Sequence, residues 1–247
     1  MGVITMNTAA YLRKIRITRT SNTYESYKQA LESIGRYNGD LLKFIEKSKL
    51  SDSTIKHHMI IYGRYLSYLG KLDKETQEII SEYRVNTKEE PCPTLEEYHL
   101  CKATVSKRYR HAFLLASQCG LRVSEIAKLT KEDIAENYVI LRDTKNHTTV
   151  KQPITRELTS SLREIHWVDY GTTRAIQAYF QRLHEKCNCG HLTVHSWRRW
   201  YINCLVRSGT EITLVRAACR HKSLTSTQRY INTEAAMVEQ AIQNTFI

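Results

Sequence analysis

The chain has 247 residues, enough for one large domain or two modest ones, each with its own hydrophobic core. Hydrophobic residues make up 41% of the sequence and only three prolines and nine glycines occur, which excludes a linker or a disordered chain. Lysine and arginine number 37 against 25 acidic residues, a formal charge of +12, and a surplus of this size favours a polyanionic partner, most simply nucleic acid.

Neither a membrane nor a disulfide scaffold is indicated. No apolar run reaches the roughly 18 residues that a membrane span needs, and residues 1–10 lack the basic and then apolar pattern of a signal peptide. The seven cysteines are odd in number and scattered, which fits reduced thiols. We therefore expect an intracellular protein without membrane contact.

The first part of the chain has a helical pattern, with helices predicted over residues 23–34, 41–47, 54–69 and 74–83. In the segment 54–69, apolar residues recur every three or four positions and form one face. A polar stretch that contains Pro91 and Pro93 is typical of a linker. We predict a helical domain at residues 1–88, whose first 20 residues form a basic arm that is either ordered or disordered, and a second domain at residues 89–247.

The second domain is predicted to be mainly α with a small antiparallel sheet. One continuous helix over residues 95–119 should end at Gly120, with a short helix over residues 123–129 after it. Residues 138–142 and 148–154 predict a hairpin, in which Pro153 indicates an edge strand. Further helices are predicted over residues 172–186, 195–208 (ended by Gly209), 212–219, 225–230 and 233–243.

The segment from His195 to Tyr230 concentrates positive charge, with seven basic residues and one acid, Glu211. Cleaving a phosphodiester without a metal needs an in-line nucleophile, donors for the two non-bridging oxygens and an acid for the leaving 5′ oxygen. Arginine suits the phosphate because its rigid fork donates two parallel charge-assisted hydrogen bonds. A tyrosine nucleophile would store the broken bond as a phosphotyrosyl ester.

Three segments supply such groups in order along the chain. They are Gly-Leu-Arg-Val-Ser-Glu-Ile at residues 120–126, His-Ser-Trp-Arg at residues 195–198, and residues 221–230, in which a histidine precedes a tyrosine by nine positions. They resemble the arginine box, the His-x-x-Arg box and the closing box of tyrosine site-specific recombinases (integrases). The resemblance covers about residues 95–235, and more loosely the helical part before them. It implies the two-domain clamp of that family, with a helical core-binding domain that contacts DNA and a catalytic domain.

The resemblance implies four phosphate-binding side chains. Arg122 and Arg198 would clamp the scissile phosphate. His195, one helical turn before Arg198, would bond to the phosphate or assist proton transfer. His221 would donate to a phosphate oxygen.

Three further roles follow from the resemblance. Tyr230 would be the nucleophile. Lys145, at the tip of the hairpin, would be the acid for the leaving 5′ oxygen, and Lys151 on the same hairpin is the alternative. Glu125 would orient Arg122 or His195, or it is a solvated helix acid. No metal and no cofactor is implied.

One tyrosine and one arginine lie beside these motifs without being part of them. Tyr201 lies near the His-x-x-Arg box, but it shares a helical stripe with Trp197 and Cys204 and is predicted to pack in the core. Arg220 stands where the resembled family has glycine. A left-handed backbone there would cost arginine on the order of 1 kcal/mol, so either the turn differs locally or Arg220 adds a phosphate contact.

A cluster of two histidines and two cysteines precedes the His-x-x-Arg box: His184, Cys187, Cys189 and His191. Zinc is one interpretation, but the Cys-x-Cys spacing is tighter than the usual two to four intervening residues. A loop with reduced thiols is the preferred interpretation.

The expected function is site-specific recombination of double-stranded DNA, in which strands are cleaved and rejoined through a covalent 3′-phosphotyrosyl intermediate. The alternatives are a catalytically inactive DNA-binding module of the same fold and a type IB topoisomerase-like relaxase. With no separate arm-binding domain in view, a compact integrase of a virus (an archaeal one included) or a plasmid is expected, located on DNA inside the cell.

The expected assembly is a homotetramer on DNA, with a monomer or dimer free in solution. The tail at residues 233–247 can form an apolar helical face that docks in a neighbouring subunit. The alternative is that this helix folds back onto its own catalytic domain.

Overall fold

The computed structural model describes residues 8–86, 91–143, 148–164 and 172–221. The chain divides into two compact units, an N-terminal unit of residues 1–89 and a C-terminal unit of residues 90–247. Throughout these described ranges, none of the helices combines the length and the apolar character needed to cross a membrane.

The N-terminal unit is built from helices, and the described ones are α1 (Ala9–Thr18), α2 (Ser21–Gly35), α3 (Leu41–Lys47), α4 (Asp52–Tyr68) and α5 (Lys74–Glu82). Side-chain caps start three of them. Thr20 accepts from the N–H of Thr23 at 3.4 Å, Asp40 from the N–H of Lys43 at 3.0 Å and Asp73 from the N–H of Thr76 at 2.7 Å. The four helices predicted in this region are confirmed to within about two residues.

Within the segment predicted as a basic arm, residues from Ala9 onward are ordered as helix α1. Tyr11 and Ile15 are buried in the same core as Leu31, Phe44 and Met59. The two buried residues are four positions apart and so lie on one face of the helix. The basic side chains of this segment therefore belong to a packed helix from Ala9 onward.

The described elements of the C-terminal unit are α6 (Leu95–Thr104), α7 (Arg110–Gln118), α8 (Val123–Ile126), strands β1 (Tyr138–Asp143) and β2 (Thr148–Pro153), α9 (Arg156–Glu164), α10 (Thr173–Lys186), α11 (Val194–Arg207) and α12 (Ile212–Ala218). Short 3₁₀ turns lie at Lys107–Tyr109 and Lys131–Asp133. The predicted fold class, mainly α with a small antiparallel sheet, is confirmed. The helices predicted over residues 225–230 and 233–243 lie outside the described residues.

The single helix predicted over residues 95–119 is wrong. It is interrupted between α6 and α7, where Val105 and Ser106 adopt extended ψ angles of 130° and 152°. The N–H of Ser106 donates to the hydroxyl of Tyr179 on α10 at 2.7 Å. A partner 73 residues away thus satisfies a backbone donor that a continuous helix would have bonded internally.

Helix α9 was not anticipated from the sequence. Its nine residues, Arg-Glu-Leu-Thr-Ser-Ser-Leu-Arg-Glu, contain only two large apolar side chains. Leu158 and Leu162 are spaced by four positions and both are buried, so this short face is enough to hold the helix against the core.

The hairpin pairs Val139 with Gln152 and Ile140 with Lys151. Val139 and Gln152 are both buried, so this pair lies on the face that meets the core. Since strand side chains alternate between faces, Lys151 lies on the opposite face. There its ammonium lies 4.8 Å from the ring centre of Tyr138.

Aromatic packing around α11 forms the centre of the C-terminal unit. Trp197 is fully buried and meets Phe113 of α7 edge-on at a centroid distance of 4.8 Å. Its indole N–H donates to Nε2 of His184 at 2.9 Å. A smaller core of Ile202, Val215 and Cys219 holds α12 against the second half of α11. These two cores fix α11 relative to α7 and α12.

Candidate active site

The arginine box begins at a turn that only glycine fits. Helix α7 ends at Gln118, and Gly120 follows with φ of +62°, which confirms the predicted helix end. A Cβ atom at position 120 would lie 2.3 Å from Cδ1 of Tyr201. Both the left-handed backbone and the close ring therefore require glycine.

We expect Gly120→Ala to destabilise the protein more than Gly209→Ala. Both glycines have positive φ, +62° and +75°, so alanine meets a left-handed backbone cost of about 1–2 kcal/mol at either site. Among the described residues only position 120 adds a steric overlap, because none of their atoms lies within 4 Å of a Cβ at position 209. Overlap of this kind adds about 1–3 kcal/mol, to be measured as the difference in unfolding free energy between the two variants. Equal losses would contradict the contact with Tyr201.

Arg122 and Glu125 form a pair at the start of α8. Nη1 of Arg122 donates to Oε1 of Glu125 at 2.9 Å, and the backbone N–H of Arg122 donates to Oε2 at 2.7 Å. The side chain of Arg122 is 43% exposed and that of Glu125 is 23% exposed. The carboxylate therefore holds both the backbone and the guanidinium of Arg122, whose outer part stays accessible.

Arg198 is buried on α11, at 1% exposure, and is held by backbone carbonyls. Nη1 donates to the carbonyl of Gly120 and Nη2 donates to the carbonyl of Cys219. These bonds tie Arg198 to the turn before Arg122 and to the end of α12. Burial, followed by the charges of Arg122 and Arg220, lowers the pKa of Arg198 to about 10, so the side chain is still cationic at neutral pH.

The two histidines of the predicted site lie near these arginines. His195 is exposed, in the first turn of α11. His221 is half-buried directly after α12, where its N–H donates to the carbonyl of Arg216 at 3.1 Å. Burial and the charges of Arg198, Arg122, Arg220 and His195 lower the pKa of His221 to about 4. His221 is therefore neutral at neutral pH.

Arg220, directly before the closing box, completes the cluster. It adopts φ of +54°, so the turn has the left-handed backbone that favours glycine. Nη2 donates to Oε2 of Glu125 at 2.8 Å, and Nη1 donates to Oε1 of Gln152 on β2. Burial raises the pKa of Glu125, but Arg220 and the backbone N–H and charge of Arg122 outweigh it and keep that pKa below its usual value. Glu125 is thus an ionised member of the cluster.

Gln152 is the member of this arrangement that the sequence did not indicate. It is 2% exposed and accepts from Arg220. A polar residue at an inward-facing position of a strand is weak evidence for a role in a site. Its role becomes clear only once its hydrogen-bond partner is known.

Lys145 and Tyr230 lie outside the described residues. Of the two candidate lysines, Lys151 is described, and it lies on the face of the hairpin opposite to Gln152. The side chain of Gln152 contacts Arg220, so the face of the hairpin that carries Gln152 meets the cluster. Lys151 is not on that face.

Tyr201 packs beside the site and is half-buried. Its ring lies on Gly120 and beside the small core of Ile202, Val215 and Cys219. Burial, together with neighbouring thiols, raises the pKa of Tyr201 to about 12. The predicted stripe is only partly correct, because Trp197 is buried whereas Cys204 is exposed.

Three of the four residues considered for zinc have partners outside that set. His184 accepts from Trp197 through Nε2, and its Nδ1 lies 3.0 Å from the carbonyl oxygen of Leu192. His191 lies 3.4 Å from Glu97, and Sγ of Cys189 lies 3.7 Å from Sγ of Cys101. Within the described part of the chain, no group of three His, Cys, Asp or Glu side chains is arranged to hold a metal.

The cluster as a whole carries a positive surplus. Three guanidinium groups, those of Arg122, Arg198 and Arg220, surround one carboxylate, that of Glu125. Of the three, Arg122 is the most exposed, and His221 lies close enough to all three for their charges to lower its pKa. Such a set suits a phosphate-like anion, since arginine forks match its oxygens in geometry and in charge.

Comparison with known proteins agrees with the motifs. Residues 95–237 match the model of the phage integrase family. No curated protein matches the sequence significantly.

Solved structures with a similar fold include several integrases and recombinases. The Tn1549 transposon integrase in complex with transposon right end DNA has a TM-score of 0.73 at 16% identity, over 96% of this chain and 98% of that one. XerH recombinase bound to a palindromic difH substrate gives 0.72 at 16% identity, over 94% and 82%. A lambda integrase dimer bound to a COC′ core site gives 0.65 at 17% identity, over 91% and 95%. At these identities the likeness is one of fold.

Proposed function

The chain belongs to the phage integrase family, and on that premise we propose that it cleaves and rejoins double-stranded DNA at specific sites through a covalent 3′-phosphotyrosyl intermediate. The observation that carries this proposal is the cluster of Arg122, Arg198 and His221, which brings together side chains from three separate sequence motifs. The similar solved structures support it, since they are complexes of integrases and a recombinase with DNA.

The scissile phosphate would lie over the arginine cluster. Arg198 has five N–H donors, more than its two backbone carbonyls use, and these carbonyls hold its fork rigidly. Arg122 would grip the phosphate from the accessible side while Glu125 holds its guanidinium. Donors fixed in advance stabilise the charge that develops on phosphorus without reorganising during the reaction.

The two histidines would complete the phosphate site. His221 is neutral before DNA binds, so it donates a hydrogen bond from a neutral ring. The phosphate's negative charge would raise the pKa of His221 and strengthen this bond. His195, exposed at the start of α11, would bond to the phosphate or assist proton transfer.

The chemical step would involve Tyr230 and Lys145. The phenolic oxygen of Tyr230 attacks phosphorus, gives its proton to His195 or to water and forms the phosphotyrosyl ester, while the bond to the 5′ oxygen breaks. Lys145 gives a proton to that oxygen, so a 5′ hydroxyl leaves. A new 5′ hydroxyl reverses the same steps and rejoins the strand.

Lys145 is preferred over Lys151 because of the hairpin register. Lys151 lies on the face opposite to Gln152, the residue through which β2 contacts the cluster, and its ammonium lies against the ring of Tyr138. Lys145 comes between β1 and β2 in the sequence, so the alternation of side chains along the strands does not assign it to the face opposite to Gln152.

Replacing the bridging 5′ oxygen of the scissile phosphate with sulfur should rescue Lys145→Ala and leave Arg122→Ala impaired. A thiolate leaves without a proton, so the acid is no longer needed, whereas the phosphate oxygens still need their clamp. The measurement is the rate of covalent adduct formation on matched oxygen and sulfur substrates. If sulfur instead rescues Lys151→Ala while Lys145→Ala remains inactive, the acid is Lys151.

The test of the proposed function is a suicide substrate, a duplex nicked close to the cut site so that cleavage cannot be reversed. An active enzyme accumulates a covalent protein–DNA adduct, and the adduct should persist in excess EDTA because arginine and histidine donors serve the phosphate. A protein that binds the duplex without any adduct is an inactive DNA-binding module. Relaxation of supercoiled DNA without strand exchange would favour the topoisomerase-like relaxase.

The proposed assembly is a homotetramer that brings two duplexes together, with residues 1–88 contacting DNA beside the catalytic domain of residues 89–247. The positive charge of +12 supports contact with the DNA backbone. Head-to-tail docking of the tail at residues 233–247 would close a ring of four subunits.

A further inference from the structure

Arg220 occupies a backbone conformation that L-residues avoid. Its φ is +54°, and glycine would adopt this angle without strain. A non-glycine residue persists in such a conformation when the surrounding structure holds it there. The reason for this backbone conformation therefore lies in the contacts of the Arg220 side chain.

The guanidinium of Arg220 faces protein groups. Nη2 donates to Glu125 at 2.8 Å, Nη1 donates to Gln152, and Nη1 also lies 3.4 Å from the carbonyl of Ala218. The side chain is 13% exposed, and Gln152 is 2% exposed. Two nitrogens of one planar fork thus reach two different elements, α8 and β2, which a single ammonium group cannot match in geometry.

These contacts form a continuous chain across the cluster. Gln152 on β2 accepts from Arg220, Arg220 donates to Oε2 of Glu125, and Oε1 of Glu125 accepts from Arg122. His221 follows Arg220 directly in the sequence. One side chain therefore joins the hairpin, the phosphate-clamping Arg122 and the backbone that carries His221.

We propose that Arg220 is a positioning residue, which aligns the Arg122–Glu125 pair and the hairpin with the closing box without touching the phosphate itself. This inference rests on the proposed cleavage function. Because small displacements of a catalytic group lower the rate steeply, loss of this link should slow cleavage on the order of 10- to 100-fold.

The test compares Arg220→Gly with Asn188→Gly. Asn188 also has φ of +54° and is exposed on the loop between α10 and α11, so it reproduces the backbone change outside the cluster. Both variants should remain folded by thermal unfolding and bind the duplex within about threefold of wild type. Only Arg220→Gly should slow single-turnover adduct formation on the nicked substrate at saturating protein. Arg220→Lys should recover part of the rate, since lysine can reach one partner.

A double-mutant cycle with Glu125→Gln tests whether Arg220 acts through the carboxylate. If it does, the double variant should be about as slow as the slower single variant, whereas independent effects would multiply. Three results would each overturn the inference. They are a wild-type cleavage rate for Arg220→Gly, a double variant whose loss of rate is the product of the two single losses, and a fall in DNA binding as large as the fall in rate. The last result would make Arg220 a direct phosphate contact.

A readout that does not need cleavage separates this inference from the proposed function. In DNA-free protein, Arg220→Gly should raise the pKa of Glu125, followed by NMR titration of its carboxyl group, because the largest opposing charge is removed while Arg122 and Arg198 remain. If the pKa of Glu125 rises but the wild-type protein forms no adduct, the link between Arg220 and Glu125 stands and the enzymatic function is contradicted. An unchanged pKa would contradict the link whatever the activity.

Discussion

Replacing Tyr230 with phenylalanine is expected to abolish the covalent protein–DNA adduct while leaving duplex binding within about twofold of wild type. Only the attacking oxygen is removed, and the arginine, histidine and glutamate side chains described in the cluster cannot form a phosphotyrosyl ester. Adduct formation on the nicked substrate, followed by denaturing gel electrophoresis, measures the first effect. A mobility-shift titration measures the second.

Tyr201→Phe is the matched control for that variant, because Tyr201 is the tyrosine that follows the His-x-x-Arg box most closely. Its ring packs against Gly120 and burial raises the pKa of its hydroxyl to about 12, which disfavours an attacking phenolate. This variant should retain the adduct. An adduct formed by Tyr230→Phe and lost in Tyr201→Phe would assign the nucleophile to Tyr201.

Arg198→Ala should produce the second large effect, a fall in cleavage rate of about 10²–10³, the usual cost of removing a fixed donor to transition-state charge. Stability should also fall, since Arg198 is 1% exposed and bonds to the carbonyls of Gly120 and Cys219. Each buried carbonyl left without its donor costs about 1–3 kcal/mol. Single-turnover cleavage and urea unfolding measure the two effects separately.

Arg122→Ala provides the comparison that keeps these effects apart. Arg122 is 43% exposed and its side chain pairs with Glu125, so its removal should slow cleavage to a similar extent with a much smaller loss of stability. If Arg122→Ala destabilises the protein as much as Arg198→Ala does, the division of roles between an accessible clamp and a buried one is wrong. If cleavage and binding fall together in either variant, the arginine concerned merely holds DNA.

The burial of Arg198 also explains why the two arginines are not equivalent in the cluster. Arg198 is fixed by the backbone of two turns, and its charge, with those of Arg122 and Arg220, helps to keep His221 neutral. The positive charges are thus crowded before any DNA is bound. We expect a bound phosphate to relieve this repulsion, which would favour its binding to the cluster.

The sequence by itself determined the helices whose apolar spacing is regular and the three motifs that carry the candidate site. Of the apolar residues that recur at helical spacing, Ile55, Met59, Tyr62 and Leu66 are buried along α4, whereas Leu69 after its end is exposed. Gly120 and Gly209 end α7 and α11 with positive φ, as expected from their places in the sequence. These features depend on residues within about one or two turns of one another, which is why a single sequence reveals them.

Only the tertiary structure decided the features that depend on partners far along the chain. The break between α6 and α7 follows from the bond of Ser106 to Tyr179, and the exposure of Cys204 depends on which neighbours pack beside α11. The role of Arg220 can be inferred only from its two partners. Glu125 and Gln152 lie 95 and 68 residues away in the sequence and accept hydrogen bonds from its guanidinium. No local periodicity encodes such pairings, because they exist only once separate elements have packed together.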